Sequence, residues 1–116
     1  MAKNKLKVYI SGAITNNPNY KEDFANAEKL LKKHGFEVVN PASLGEVDGW
    51  TWEDYMKKDI KLLVDCDAIY LIDGWENSKG SRLEASLASW LTLKWVCCWG
   101  DDDFDIFSLK GTFGNV

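Results

Sequence analysis

Five consecutive apolar residues, Ala68-Ile69-Tyr70-Leu71-Ile72, stand between Asp67 and Asp73. The run is too short for a helix, and no polar residue alternates within it. A β-strand covered on both faces satisfies that pattern, because both sets of its side chains leave water. Such a strand requires helices above and below its sheet. The sequence on either side supplies them.

Three further short β-rich runs are present: Leu6 to Ile10 (LKVYI), Phe36 to Asn40 (FEVVN) and Lys94 to Trp99 (KWVCCW). Helical patterns lie between them. From about Asn19 to His34, the residues Phe24, Ala27, Leu30 and Leu31 mark an apolar stripe. Lys32-Lys33-His34 followed by Gly35 closes this helix, with bases at its negative end and glycine at the left-handed position. A second helix opens on Thr51-Trp52-Glu53-Asp54, hydroxyl first and acids next, and runs to about Val64. A third extends from about Gly80 to Leu91, with Leu83, Leu87, Trp90 and Leu91 expected to make its buried contacts.

The order β-α-β-α-β-α-β predicts an α/β fold, a parallel sheet with helices on both faces joined by right-handed crossovers. The 116 residues suit one domain, 1–116, and are too few for two. The acidic stretch from about 100 to 116 takes no assignment. Ligands in such sheets bind beyond the carboxyl ends of the strands. The segments there are Ser11 to Asn19, Pro41 to Trp50 and Asp73 to Lys79.

Charge and motif content exclude several functions. A formal charge of −4 argues against a nucleic-acid polymer as partner, since such proteins need a basic face to displace phosphate counterions. A single nucleotide stays open, because backbone N–H groups and hydroxyls can hold one phosphate. No apolar stretch approaches the roughly 20 residues that span a bilayer, and the basic start is followed by an apolar run that stops at Ser11-Gly12, unlike a signal peptide. Three cysteines, two of them adjacent at Cys97-Cys98 and so on opposite faces of a strand, read as reduced thiols in the cytoplasm. Neither a GxGxxG nor a Walker A loop occurs, nor a HExxH or a Cys/His cluster. No cofactor and no metal is therefore expected. His34, the single histidine, reads as a helix cap rather than a member of a triad. Six Trp are more than a small core encloses, which points to a pocket or an interface.

Two acids break the helical patterns. Asp59 lies among Tyr55, Met56 and Leu63 on the apolar stripe of the second helix. It either hydrogen-bonds a loop backbone or faces a ligand, because an unpartnered carboxylate there is costly. Glu84, one turn into the third helix, shares a face with the small residues Ser81 and Ala88, which leave room for a ligand. It is either a favourable first-turn acid or a catalytic carboxylate, kept ionised by the helix N-terminus as a nucleophile needs. Ser78, Gly80 and Ser81 precede it where exposed amides attract an anion. Ser11 and Gly12 offer a second close backbone approach.

Taken in order, Val8-Tyr9-Ile10-Ser11-Gly12-Ala13-Ile14, Met56-Lys57-Lys58-Asp59, Cys66-Asp67-Ala68-Ile69 and Ser78-Lys79-Gly80-Ser81-Arg82-Leu83-Glu84 resemble the nucleoside 2-deoxyribosyltransferase superfamily. The match is nearest to a branch common in phages and prophages, DUF4406-like, and covers about residues 6–98. The resemblance implies a flavodoxin-like or Rossmann-like three-layer fold, a parallel sheet of four to five strands. It also implies a ligand cleft between protomers of a homodimer or higher homo-oligomer. Members cleave or exchange the N-glycosidic bond of deoxyribonucleosides or their 5′-monophosphates. Carried onto this chain, Glu84 would attack the sugar, Asp59 would contact the base or protonate it, and Tyr9 would orient Glu84.

The position six residues before the glutamate is an aspartate in the transferases and a serine in the 5′-monophosphate hydrolases. Ser78, followed by Gly80, is similar to the hydrolases and implies a nucleoside 5′-monophosphate ligand. Ala13 stands where the branch usually has proline, and Ser81 where it usually has alanine. Trp75, counted with the substrate-binding residues, and Arg82 belong to the branch and not to the known enzymes. A nucleotide-binding sponge or sensor without turnover, and a non-enzymatic interaction module, remain alternatives to the enzyme.

Overall fold

A computed structural model describes residues 6–99 and 103–108. Its regular elements are β1 (Lys7–Ser11), α1 (Tyr20–Lys33), β2 (Glu37–Val39), α2 (Trp52–Val64), β3 (Ala68–Leu71), α3 (Lys79–Trp90), β4 (Lys94–Trp99) and β5 (Asp103–Ser108). Two single 3-10 turns, Pro41–Leu44 and Trp75–Asn77, precede α2 and α3. The strands form one sheet in the order β2-β1-β3-β4-β5.

β1 to β4 are parallel and β5 is antiparallel to β4. The expected parallel sheet of four to five strands is present as four parallel strands, with β5 added antiparallel at the edge. Three residues separate β4 from β5, whereas a parallel return needs a crossover of a dozen or more. β5 also accounts for part of the stretch that the sequence left unassigned; residues 100–102 and 109–116 lie outside the described residues.

The alternation along β1 divides the core. Val8 and Ile10 turn to one face, against Phe24, Ala27 and Leu31 of α1. Tyr9 turns to the other, with Leu63 of α2 and Ala85 and Ala88 of α3. Phe24 and Leu31 are fully buried, and truncating either to Ala costs about 2–5 kcal/mol. α1 ends as its sequence requires, with His34 N–H bonded to the carbonyls of Leu30 and Leu31 and Gly35 at φ 91°. α2 begins on a reciprocal cap: Asp54 N–H donates to Thr51 Oγ1 at 3.2 Å, and Thr51 N–H to Asp54 Oδ2 at 2.9 Å.

α3 departs from its expected orientation. Its buried face is Ser81, Glu84, Ala85, Ala88 and Ser89, with Leu87 packed on the cluster around Ile69 as expected, while Leu83, Trp90 and Leu91 are exposed. Small side chains let α3 lie close against the sheet and α2, so the other bulky residues occupy its outer face. At Gly80 an added Cβ would stand 3.1 Å from Met56 Sδ, a measure of how near the two helices come. No helix among the described residues is long and apolar enough to cross a membrane.

Candidate active site

Tyr9 and Ser11 are two residues apart on β1 and therefore share its α3-facing side. Ser81 and Glu84 are three apart on α3 and share the face turned toward them. The four side chains meet in the interior. Tyr9 Oη donates to Glu84 Oε2 at 2.7 Å, and Ser11 Oγ donates to Glu84 Oε1 at 2.6 Å. Ser11 Oγ also lies 2.9 Å from Ser81 Oγ. Glu84 is 5% exposed.

Burial governs the charge states. It pushes the Glu84 carboxyl up to about 7, against the bonds from Ser11 and then Tyr9, and the nearby Asp59 charge pushes the same way. The helix N-terminus was expected to keep this group ionised; desolvation outweighs it. Asp59 is half-buried and raised to about 6, again by burial, with Lys58 opposing. Tyr9 is held well above the ordinary tyrosine value by burial first, then by the charges of Glu84 and Asp59, so it remains a donor.

Glu84 and Asp59 open onto one cleft of about 790 Å³, at the carboxyl ends of β1 and β3 where the strand order reverses. Its volume falls within the range of small-molecule sites. Gly12, Ser78, Gly80 and Ser81 line it as well. Asp59 carries no hydrogen bond to any described residue, so nothing supports the alternative that it locks a loop. Gly12 is fixed by packing, since a Cβ there would come within 3.0 Å of Ile72. Ser78 caps α3, its Oγ accepting Ser81 N–H at 3.2 Å while its own hydrogen has no acceptor among the described residues. Trp75 does not line the cleft; it packs on the cluster around Ile69 and Ala85.

Other cleft residues escaped the sequence reading. Tyr55 Oη accepts Val47 N–H at 2.7 Å and donates to Val47 O at 3.1 Å, which pins the loop before α2 to the cleft mouth. Lys79 Nζ stands 4.3 Å from the ring centre of Trp52, joining the starts of α3 and α2. Glu46, Glu53, Asp59 and Glu84 are the carboxylates of the lining and Lys79 its one cation among the described residues. The described residues hold no group of three or more His, Cys, Asp or Glu placed for a metal ion.

Residues 6–97 match the family model described as "Domain of unknown function (DUF4406)". The chain belongs to the DUF4406 family. This DUF4406 domain also has the fold of a nucleoside deoxyribosyltransferase. It is similar to the solved 2-deoxyribosyltransferase of the psychrotolerant bacterium Bacillus psychrosaccharolyticus, at 23% identity and a TM-score of 0.60, over 77% of this chain and 69% of that one. No curated protein matches the chain.

Proposed function

We propose that this protein is an N-glycosidase that cleaves or transfers the base of a nucleoside 5′-monophosphate through a Glu84 glycosyl-enzyme. The observation that carries the reading is the buried Glu84 at the cleft, held at both oxygens by Tyr9 and Ser11, with Asp59, unbonded among the described residues, in the same cleft. A Glu84 oxygen attacks the sugar C1′ as the C1′–N bond breaks. The electron pair leaves with the base, which takes a proton from Asp59. Water or a second base, deprotonated by Asp59, then attacks C1′ and releases Glu84.

The charges of the lining support this chemistry. With Asp59 protonated, the ionised Glu46, Glu53 and Glu84 against one lysine favour a transition state in which the sugar becomes cationic. A phosphate then has its place at the start of α3, beside Lys79, the Ser78 hydroxyl and the amides of Lys79 and Gly80, which have no intrahelical acceptor. The deoxyribosyltransferase activity of the solved neighbour supports the reaction class, and Ser78 supports the 5′-monophosphate. Residues 1–116 work as one domain. The exposed α3 face of Leu83, Trp90 and Leu91 fits association with a second copy, and three free cysteines fit a reducing cytoplasm.

The test is a panel of ribo- and deoxyribonucleoside 5′-monophosphates assayed for free base. Release that disappears in Glu84→Ala supports the proposal; no release from any of them overturns it. A second reading is a nucleotide binder without turnover, favoured by the fact that both Glu84 oxygens already accept hydroxyl bonds. Thermal stabilisation by a nucleotide with no base released identifies it.

A further inference from the structure

The Ser11 hydroxyl has one hydrogen and two acceptors within reach, Glu84 Oε1 at 2.6 Å and Ser81 Oγ at 2.9 Å. Ser11 is 1% exposed and does not line the cleft, so no solvent water competes for its hydroxyl, whereas the equally buried Ser81 borders the cleft. Tyr9 has one bond of this kind, to Oε2, and none to a second acceptor among the described residues. The two carboxylate oxygens are therefore not equivalent. Oε2 is held by a donor with no second acceptor among the described residues, whereas Oε1 is held by a donor that can turn away.

We propose that Ser11 is a positioning residue whose hydroxyl rests on Glu84 Oε1 in the ligand-free protein and turns to Ser81 Oγ when a ligand arrives, making Oε1 the attacking oxygen. The hydrogens balance. While the one Ser11 hydrogen is on Glu84, the 2.9 Å contact is made by the Ser81 hydrogen donating to Ser11 Oγ. A ligand oxygen that accepts the Ser81 hydrogen leaves Ser81 Oγ open as an acceptor, and the Ser11 hydrogen moves to it. A carboxylate oxygen relieved of a donor carries more of the negative charge and attacks more readily. Ser81 lines the cleft one turn before Glu84, so the trigger and the nucleophile lie on one rigid helix. The ligand group required is an acceptor oxygen, of a phosphate or of the sugar itself. The role of Oε1 rests on the glycosidase reading above; the movement of the hydroxyl does not.

The test separates the two. Carbon-13 NMR of the labelled Glu84 carboxyl, in the full-length protein, reads its titration with and without saturating 2-deoxyribose 5-phosphate, a fragment with no base to release. Asp59 and Tyr9 are the titratable groups that act on Glu84, and both are unchanged in the variants compared. In the ligand-free protein Ser11→Ala raises the Glu84 titration by about one unit, the worth of one bond to a charged group. Addition of the fragment raises it in the wild type by clearly more than in Ser11→Ala or Ser81→Ala, which lack the turning donor or its second acceptor. A wild-type titration that does not respond to the fragment, or responds equally in all three proteins, overturns the switch.

In turnover, Ser81→Ala traps the Ser11 hydrogen on Glu84 and lowers the maximal rate about tenfold or more. Ser11→Ala added to Ser81→Ala recovers most of the loss, once rates are compared at the top of each pH profile. A double variant no faster than Ser81→Ala also overturns it. A wild type that passes the NMR test but releases no base leaves the switch standing and removes the glycosidase reading instead.

Discussion

Replacing Glu84 by glutamine should make the protein more stable at alkaline pH, a result independent of any substrate. The wild-type carboxyl is raised from 4.5 to about 7 by burial. Below pH 4.5 it is protonated in both folded and unfolded chains and contributes no pH dependence. Between about 4.5 and 7 the unfolded chain ionises while the folded one keeps its proton, so stability falls as pH rises. Above 7 both forms are ionised and the loss is complete. A difference of about 2.5 units at 1.36 kcal/mol each is about 3 kcal/mol, undiscounted because Glu84 is 5% exposed. Asp59 acts in the same direction with a smaller, solvent-screened share.

Glutamine keeps the carbonyl that accepts from Tyr9. Its amide can donate to Ser11 Oγ, whose own hydrogen then turns to Ser81. At roughly 4 °C per kcal/mol for a domain of this size, Glu84→Gln should melt about 10 °C above the wild type at pH 8.5 and near it at pH 4.5. Thermal denaturation followed by circular dichroism across pH 4.5 to 8.5 makes the comparison. Parallel curves for the two proteins, or a variant less stable at pH 8.5, would refute the argument that the site carboxylate is ionised at the expense of the fold.

Four further outcomes follow from the same geometry. Base release should show a bell-shaped pH profile with its maximum between about 6 and 7, because Glu84 must be ionised and Asp59 protonated; a rate that rises steadily to pH 9 contradicts those roles. Lys79→Ala should raise KM two- to fivefold for a 5′-monophosphate and leave the free nucleoside unaffected, about 1 kcal/mol being the limit for an exposed charge. Gly12→Ala should cost about 1–3 kcal/mol in chemical denaturation, since its Cβ meets Ile72 at 3.0 Å. On the proposed association through α3, Leu83→Lys with Trp90→Lys should sediment as a monomer where the wild type does not, and its melting temperature should lose any dependence on protein concentration, because both side chains are exposed in the fold; a wild type that is already monomeric contradicts that association.

Much of the fold is legible along the chain because short-range rules act where the elements begin and end. The run Ala68 to Ile72, the Thr51 cap and Gly35 each act through their own neighbours, and those boundaries fall within a residue or two of the structure. β5 was not legible: its acidic, weakly alternating sequence forms a strand through pairing with β4, a tertiary effect. The outer face of α3 misled for a related reason. Leu83, Leu87, Trp90 and Leu91 have helical spacing, yet so do Ser81, Glu84, Ala85 and Ala88, and the closeness of α2 selects the small set, with Leu87 alone of the first four packed inward.

At the site, the pattern break at Asp59 marked a residue that the structure places in the cleft. The pairing of Ser11 with Glu84 could not be read, because it depends on the register between β1 and α3 across 73 residues. Lys79 over Trp52 and Tyr55 on Val47 were hidden in the same way, each an ordinary surface or stripe residue until two segments are brought together.

The most direct test of Glu84 as nucleophile is a rapid acid quench during turnover of a nucleotide that releases its base, followed by mass spectrometry of the peptides. The peptide containing Glu84 should be heavier by one dehydrated sugar 5-phosphate, and the increment should be absent in Glu84→Ala. Steady base release with the Glu84 peptide unmodified, or the adduct on another residue, would contradict the central claim.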